Sequence, residues 1–151
     1  IGGAAPTLDR ARPVLDHLGK KLFHLGPHGA GQTVKLAMNL LYALEVQALA
    51  ESLALVNGAG MGSEKLLEVL ASSMGRAPVL DVKAPMMTSD NYAPSFPLRL
   101  MHKDLGLALD LSNQLGVALP ATAAARETYS AVKGASTEDV DYAAVRSFWR
   151  R

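Results

Sequence analysis

The chain has 151 residues, 49% of them hydrophobic and 19% charged, with 15 basic and 14 acidic side chains for a net charge of +1. That is enough chain for a core and too apolar a chain for disorder. No basic run is long enough to track a phosphate backbone, which argues against nucleic acid, and the lack of cysteine excludes disulfides and thiolate metal sites and fits a reducing, cytoplasmic compartment.

Residues 1–25 read as the end of an α/β unit. Ile1-Gly2-Gly3-Ala4-Ala5 looks like a strand and turn cut from something longer, so a C-terminal fragment is expected. Thr7 or Asp9 caps a short helix over 8–18 with Leu8, Ala11, Val14, Leu15 and Leu18 on one face, and Gly19 closes it. Leu22-Phe23-His24-Leu25 makes a short strand. Gly26 to Gly31 is a glycine-rich turn. It permits either close backbone approach or phosphate binding on N–H groups, and its spacing is not that of the dinucleotide fingerprint.

A long central helix follows over 31–57, ended by Asn57-Gly58. Apolar residues surround it from Met38 to Leu44, which predicts burial between other helices. The uninterrupted apolar run is too short for a bilayer span of roughly 20 residues, so no membrane partner is expected. Ser63 caps a short amphipathic helix beginning Glu64-Lys65-Leu66-Leu67, ending near Gly75. Four prolines over 76–97 suggest a short helix at 79–84 and then a loop. Leu98 to Leu115 forms a strong helix closed by Gly116, Pro120 starts another to about Lys133, and a last short helix runs from Tyr142 to Trp149. From residue 31 onward the reading is all-α.

Lys35 and Asn39 share a face of the central helix in its most apolar stretch. Two readings stand open on spacing alone. In one, the lysine snorkels and the asparagine bonds backbone. In the other they are a catalytic pair, a lysine desolvated by an apolar wall and tuned for proton transfer, with an asparagine that orients it or holds a substrate oxygen. His102-Lys103-Asp104 reads as a solvated charged face, unless Lys103 meets a phosphate or carboxylate. The four histidines show no ligand spacing, so no metal is expected.

These residues also carry a resemblance. Gly26-Pro27-x-Gly29-x-Gly31-x-x-x-Lys35-x-x-x-Asn39 resembles the catalytic helix signature of the β-hydroxyacid dehydrogenases, the family of 3-hydroxyisobutyrate dehydrogenase and tartronate semialdehyde reductase. Phe96-x-x-x-Leu100-Met101-x-Lys103-Asp104-Leu105-x-Leu107-Ala108 resembles a second block, and Gly116-Val117-x-Leu119-Pro120 and the helix with Tyr129 follow in order.

The resemblance implies a mainly α fold. It would be a helical bundle around one long central helix, like the C-terminal domain of 6-phosphogluconate dehydrogenase, with a short α/β remnant at the N-terminus. Residues 1–26 would be the tail of a truncated Rossmann NAD(P)-binding domain, and 27–151 the catalytic and dimerisation domain. Lys35 would be the general acid/base, Asn39, Phe96 and Asp104 would bind substrate, and Lys103 would lie by NAD or NADP. The implied partners are a small hydroxyacid or semialdehyde, the protein's own N-terminal Rossmann domain, and further copies in a homodimer or tetramer. Most of the cofactor site would lie upstream, so the fragment alone is expected to be inactive. The alternative is a non-catalytic helical dimerisation module in which Lys35 is incidental. An imine-reducing relative is a further possibility, and the retained lysine argues against it.

Overall fold

The computed structural model describes residues 1–150. They form two compact units, Ile1–Met38 and the residues from Asn39 onward. The expected division at 26–27 falls inside the first.

In the smaller unit, helix α1 spans Ala5–Leu15. It begins three residues before the expected start because Pro6 is pre-organised for a first turn, and its N-cap is Ala4, with no side-chain cap from Thr7 or Asp9. It stops at Asp16, short of Gly19. Of the expected apolar face only Leu8 is buried, and Val14 and Leu18 are exposed. Residues 22–25 are not a strand. They are held by Ile1 N donating to Phe23 O (2.8 Å) and Leu25 N donating to Ile1 O (2.8 Å), a pairing too short to build a ladder. The glycine turn is a close backbone approach. A Cβ on Gly2 would lie 2.6 Å from Pro27 O, and one on Gly31 would lie 3.1 Å from Gly2 N. Gly26 and Gly29 adopt φ of 116° and 92°, which L side chains avoid.

Helix α2 spans Ala30–Gly58. Its buried positions, Ala43, Val46, Leu49, Ala50 and Leu53, recur at helical spacing and join the main core. The expectation that it is buried on all sides from Met38 to Leu44 is not met, since Met38 and Leu41 are 40% and 45% exposed. By length and composition it would also suffice to cross a bilayer, contrary to the reading of its apolar run, although core helices pass the same test.

The larger unit continues with α3 (Ser63–Ala71), α4 (Pro78–Ser89), α5 (Leu98–Leu115), α6 (Pro120–Ala135) and a 3-10 helix, Tyr142–Trp149. Ser63 does not cap α3. Gly62 holds that position, and the Ser63 hydroxyl bonds the Asn57 side chain instead. Helix α4 runs five residues beyond the expected end, straight past Pro85. Thr88 and Ser89 hydroxyls donate to carbonyls of its last turn, and Asp90 in the left-handed region (φ 55°) ends it. Gly116 closes α5 with φ 68°, and Val117 N donates back to Ser112 O (2.9 Å). Helix α5 packs on α6, and the 3-10 helix packs on α4, α5 and α6. Tyr129 of α6 is fully buried, and its hydroxyl donates to Ala43 O (3.2 Å).

One buried ion pair joins these elements. Lys83 of α4 is 3% exposed and Asp141 is 0% exposed. Lys83 Nζ donates to both Asp141 oxygens at 2.8 Å and to Ser95 Oγ at 2.9 Å, and lies 4.4 Å from the Tyr142 ring centre. Asp141 also accepts from the backbone N–H of Ser95, Phe96 and Ala143 (3.0, 3.0 and 2.9 Å) and from Ser95 Oγ (3.0 Å). It thereby caps the 3-10 helix and ties it to the segment before α5. Burial alone would raise the Asp141 carboxyl. The Lys83 hydrogen bond, the Phe96 and Ala143 amides and the Lys83 charge outweigh burial and hold it below the usual carboxylate range.

Removing one partner of such a pair strands the other charge in the interior. Asp141→Ala is therefore expected to cost about 3–5 kcal/mol in denaturant unfolding. Because the folded carboxyl binds its proton less readily than the unfolded one, its contribution is complete above about pH 4 and lost as pH falls further. Melting curves between pH 5 and pH 2 should show that loss in the wild type and not in Asp141→Asn.

Candidate functional site

In the larger unit the structure brings Asn39, Lys103 and Asp104 together. Helix α5 puts the Asp104 side chain into the interior, 1% exposed. Asn39 Nδ2 donates to Asp104 Oδ2 at 2.6 Å, across from α2. A carboxylate only accepts, so this bond fixes which way the Asn39 amide faces. Lys103, 56% exposed at its side chain, places Nζ 3.0 Å from Asp104 Oδ1. Asp104 thus links an asparagine on α2 to a lysine at the surface. This corrects the reading of His102-Lys103-Asp104 as a solvated face. The helix turns Lys103 outward and Asp104 inward, and the carboxylate meets donors there. It also displaces the reading of Asn39 as backbone-bonded.

Phe96 stands at the N-terminal approach to α5. Its ring is half-buried and meets Tyr142 edge-on, with centres 6.0 Å apart. Both ends of its peptide are held. Its N–H donates to Asp141 Oδ2 (3.0 Å), and its carbonyl accepts from Tyr142 N (3.1 Å). Tyr142 is itself buried, and its hydroxyl is held protonated by burial first and by the nearby Asp141, Tyr42 and Glu45 charges. His102 is also half-buried. Burial first, then Arg126 and Lys133, keep its imidazole below the usual histidine range, so it stays neutral near pH 7.

Lys35 lies in the smaller unit, on the first turns of α2, one turn before Asn39 in sequence. The expected apolar wall does not enclose it, and the side chain is exposed. In the larger unit a cavity of about 290 Å³ is lined by Leu67, Leu70, Arg76, Leu80 and Thr88, among others. Among the described residues, no cluster of His, Asp and Glu has the makings of a metal site.

The Lys83–Asp141 pair went unpredicted. Its partners are 58 residues apart. A sequence signal existed, since Lys83 is a lone charge among Leu80, Ala84 and Met87, at helix spacing. A second was Asp141 heading the apolar run Tyr142-Ala143-Ala144-Val145.

Comparisons with known proteins bear on this arrangement. A family profile described as "NAD-binding of NADP-dependent 3-hydroxyisobutyrate dehydrogenase" matches residues 29–149. The chain is similar to 3-hydroxyisobutyrate dehydrogenase of Pseudomonas aeruginosa, 36% identical over 99% of this chain and 53% of that protein. It is also similar to glyoxylate/succinic semialdehyde reductase 1 of Arabidopsis thaliana, 34% identical over 95% of this chain and 50% of that one. Among solved structures, Mycobacterium tuberculosis 3-hydroxyisobutyrate dehydrogenase with L-serine superposes with a TM-score of 0.90 at 32% identity, covering 99% of this chain and 54% of that one. The chain spans about half the length of the curated relatives it matches.

The Asn39–Asp104 bond has a direct test. Asp104→Ala strands the Asn39 amide and should cost about 2 kcal/mol, whereas Asp104→Asn keeps an acceptor and should cost about half as much. Denaturant unfolding of both variants beside the wild type measures the difference.

Proposed function

Because the chain belongs to the 3-hydroxyisobutyrate dehydrogenase family of β-hydroxyacid dehydrogenases, we propose that it carries the proton-transfer half of an NAD(P)-linked dehydrogenase site. The oxidised or reduced substrate would be a small hydroxyacid or its semialdehyde, as the names of its relatives suggest. The observation that carries the proposal is the fixed amide of Asn39, on the helix that bears Lys35, held by the buried Asp104 carboxylate of α5. A merely solvated asparagine needs no such partner.

Each residue then has a role that its chemistry suits. Lys35 takes the hydroxyl proton during oxidation and returns one to the carbonyl oxygen during reduction. Asn39 holds a substrate oxygen. Asp104 holds Asn39 and balances Lys103. Phe96 offers an apolar wall. The exposed Lys103 ammonium fits an anionic cofactor group, and the exposed Lys35 suits a site completed by another domain. Bound NAD or NADP supplies the hydride chemistry. That cofactor would be held mainly by a Rossmann domain preceding these residues, with 1–26 as its tail. The exposed apolar residues Val34, Met38 and Leu41 of α2 suit coverage by that domain or by a second copy in a homodimer or tetramer.

In the full-length protein, Lys35→Ala should lower kcat by about 100-fold or more, the usual scale for a general acid/base. Initial rates of NAD- and NADP-linked oxidation of 3-hydroxyisobutyrate check this, and near wild-type turnover would sink the mechanism. The 151-residue chain on its own should show no such activity in the same assay.

A further inference from the structure

We propose that Lys83 and Asp141 are positioning residues for substrate binding, acting through Phe96. This rests on the reading of Phe96 as a wall of the substrate site. What lies on either side of Phe96 carries it further. Residues 92–98 are stitched to 140–142 by Asp141 N to Tyr92 O (2.9 Å), Tyr142 N to Phe96 O (3.1 Å) and Leu98 N to Val140 O (2.8 Å). The Asp141 side chain adds the amides of Ser95 and Phe96 to that seam.

The ring is governed from the same place. Lys83 Nζ sits 4.4 Å from the centre of the Tyr142 ring, and Tyr142 meets the Phe96 ring edge-on. Lys83 therefore reaches Phe96 by two routes, through Asp141 to its amide and through Tyr142 to its side chain. Ser95 completes the arrangement, since its hydroxyl accepts from Lys83 and donates to Asp141. The segment itself is a proline-flanked loop, Pro94-Ser95-Phe96-Pro97, with no helix of its own to hold it. Without the carboxylate, the Ser95 and Phe96 amides lose their acceptor, and the peptide before α5 is freed to rotate. The cluster also supports the start of α5, the helix that bears Lys103 and Asp104.

A positioning role differs from a stabilising one in what it moves. The test is steady-state kinetics on the full-length protein with 3-hydroxyisobutyrate and NAD or NADP. Three variants are compared: Lys83→Met, Ser95→Ala and Leu53→Ala. Leu53 is buried in the core stripe of α2 and serves as the control for lost stability. Lys83→Met should raise KM about tenfold with kcat within about threefold, the pattern of lost binding contacts. Leu53→Ala should lower the melting temperature and leave KM unchanged. Ser95→Ala keeps the ion pair, so it should fold where Lys83→Met fails to, and should still raise KM about threefold. An active wild type with an unchanged KM in Ser95→Ala, or a KM in folded Lys83→Met that matches the control, overturns the positioning role alone. An inactive wild type overturns the functional reading, and the positioning role falls with it.

Discussion

The Asp141 carboxylate is the constraint on which the larger unit depends. It is wholly buried and charged, a state tolerated only with a cation and donors around it. Lys83 supplies the cation, and the backbone supplies much of the rest. Three segments must then meet at one point: the middle of α4, the loop before α5 and the start of the 3-10 helix. An apolar contact would tolerate small slippage among them. A carboxylate that needs each of its donors does not, so the pair contributes a single arrangement more than it contributes net stability.

That arrangement bears on the site through Phe96 and α5. One turn and a half into α5, the helix turns Lys103 outward and Asp104 inward, and Asp104 fixes the amide of Asn39 on α2. Charge is thus distributed in an ordered way. The Asp104 and Asp141 carboxylates are buried and each is paired, while the lysines at 35 and 103 are exposed. The exposed Lys103 cation and the held Asn39 amide, joined through Asp104, suit an anionic small molecule, in keeping with a family whose relatives are named for hydroxyacids and semialdehydes.

Much of this was legible in the sequence where local chemistry decides. Gly116, Pro120 and the apolar period set the ends of α5 and α6 within a residue or two, and Asn57-Gly58 marked the end of α2. Local signals misled where a competing effect won. Pro85 did not break α4, which runs on to Ser89, and the Thr88 and Ser89 hydroxyls add bonds to the Ala84 and Pro85 carbonyls there. Residues 22–25 have strand composition, yet a strand needs a sheet, and their backbone bonds to Ile1 do not build one. The candidate residues were found by ordered blocks of sequence. The bonds among them were not, because Asn39 and Asp104 are 65 residues apart and Lys83 and Asp141 are 58 apart. Spacing along a chain carries no information about which buried charge answers which.

In the proposed mechanism Lys35 moves the proton in a hydroxyacid dehydrogenase reaction. The most direct measurement is the pH dependence of kcat/KM for hydroxyacid oxidation by the full-length protein, wild type beside Lys35→Ala. A general base must be unprotonated to act, so the wild-type rate should rise with pH along a limb of unit slope, and Lys35→Ala should lose that limb and run flat. The same limb in both proteins would assign the proton to another group and contradict the role given to Lys35.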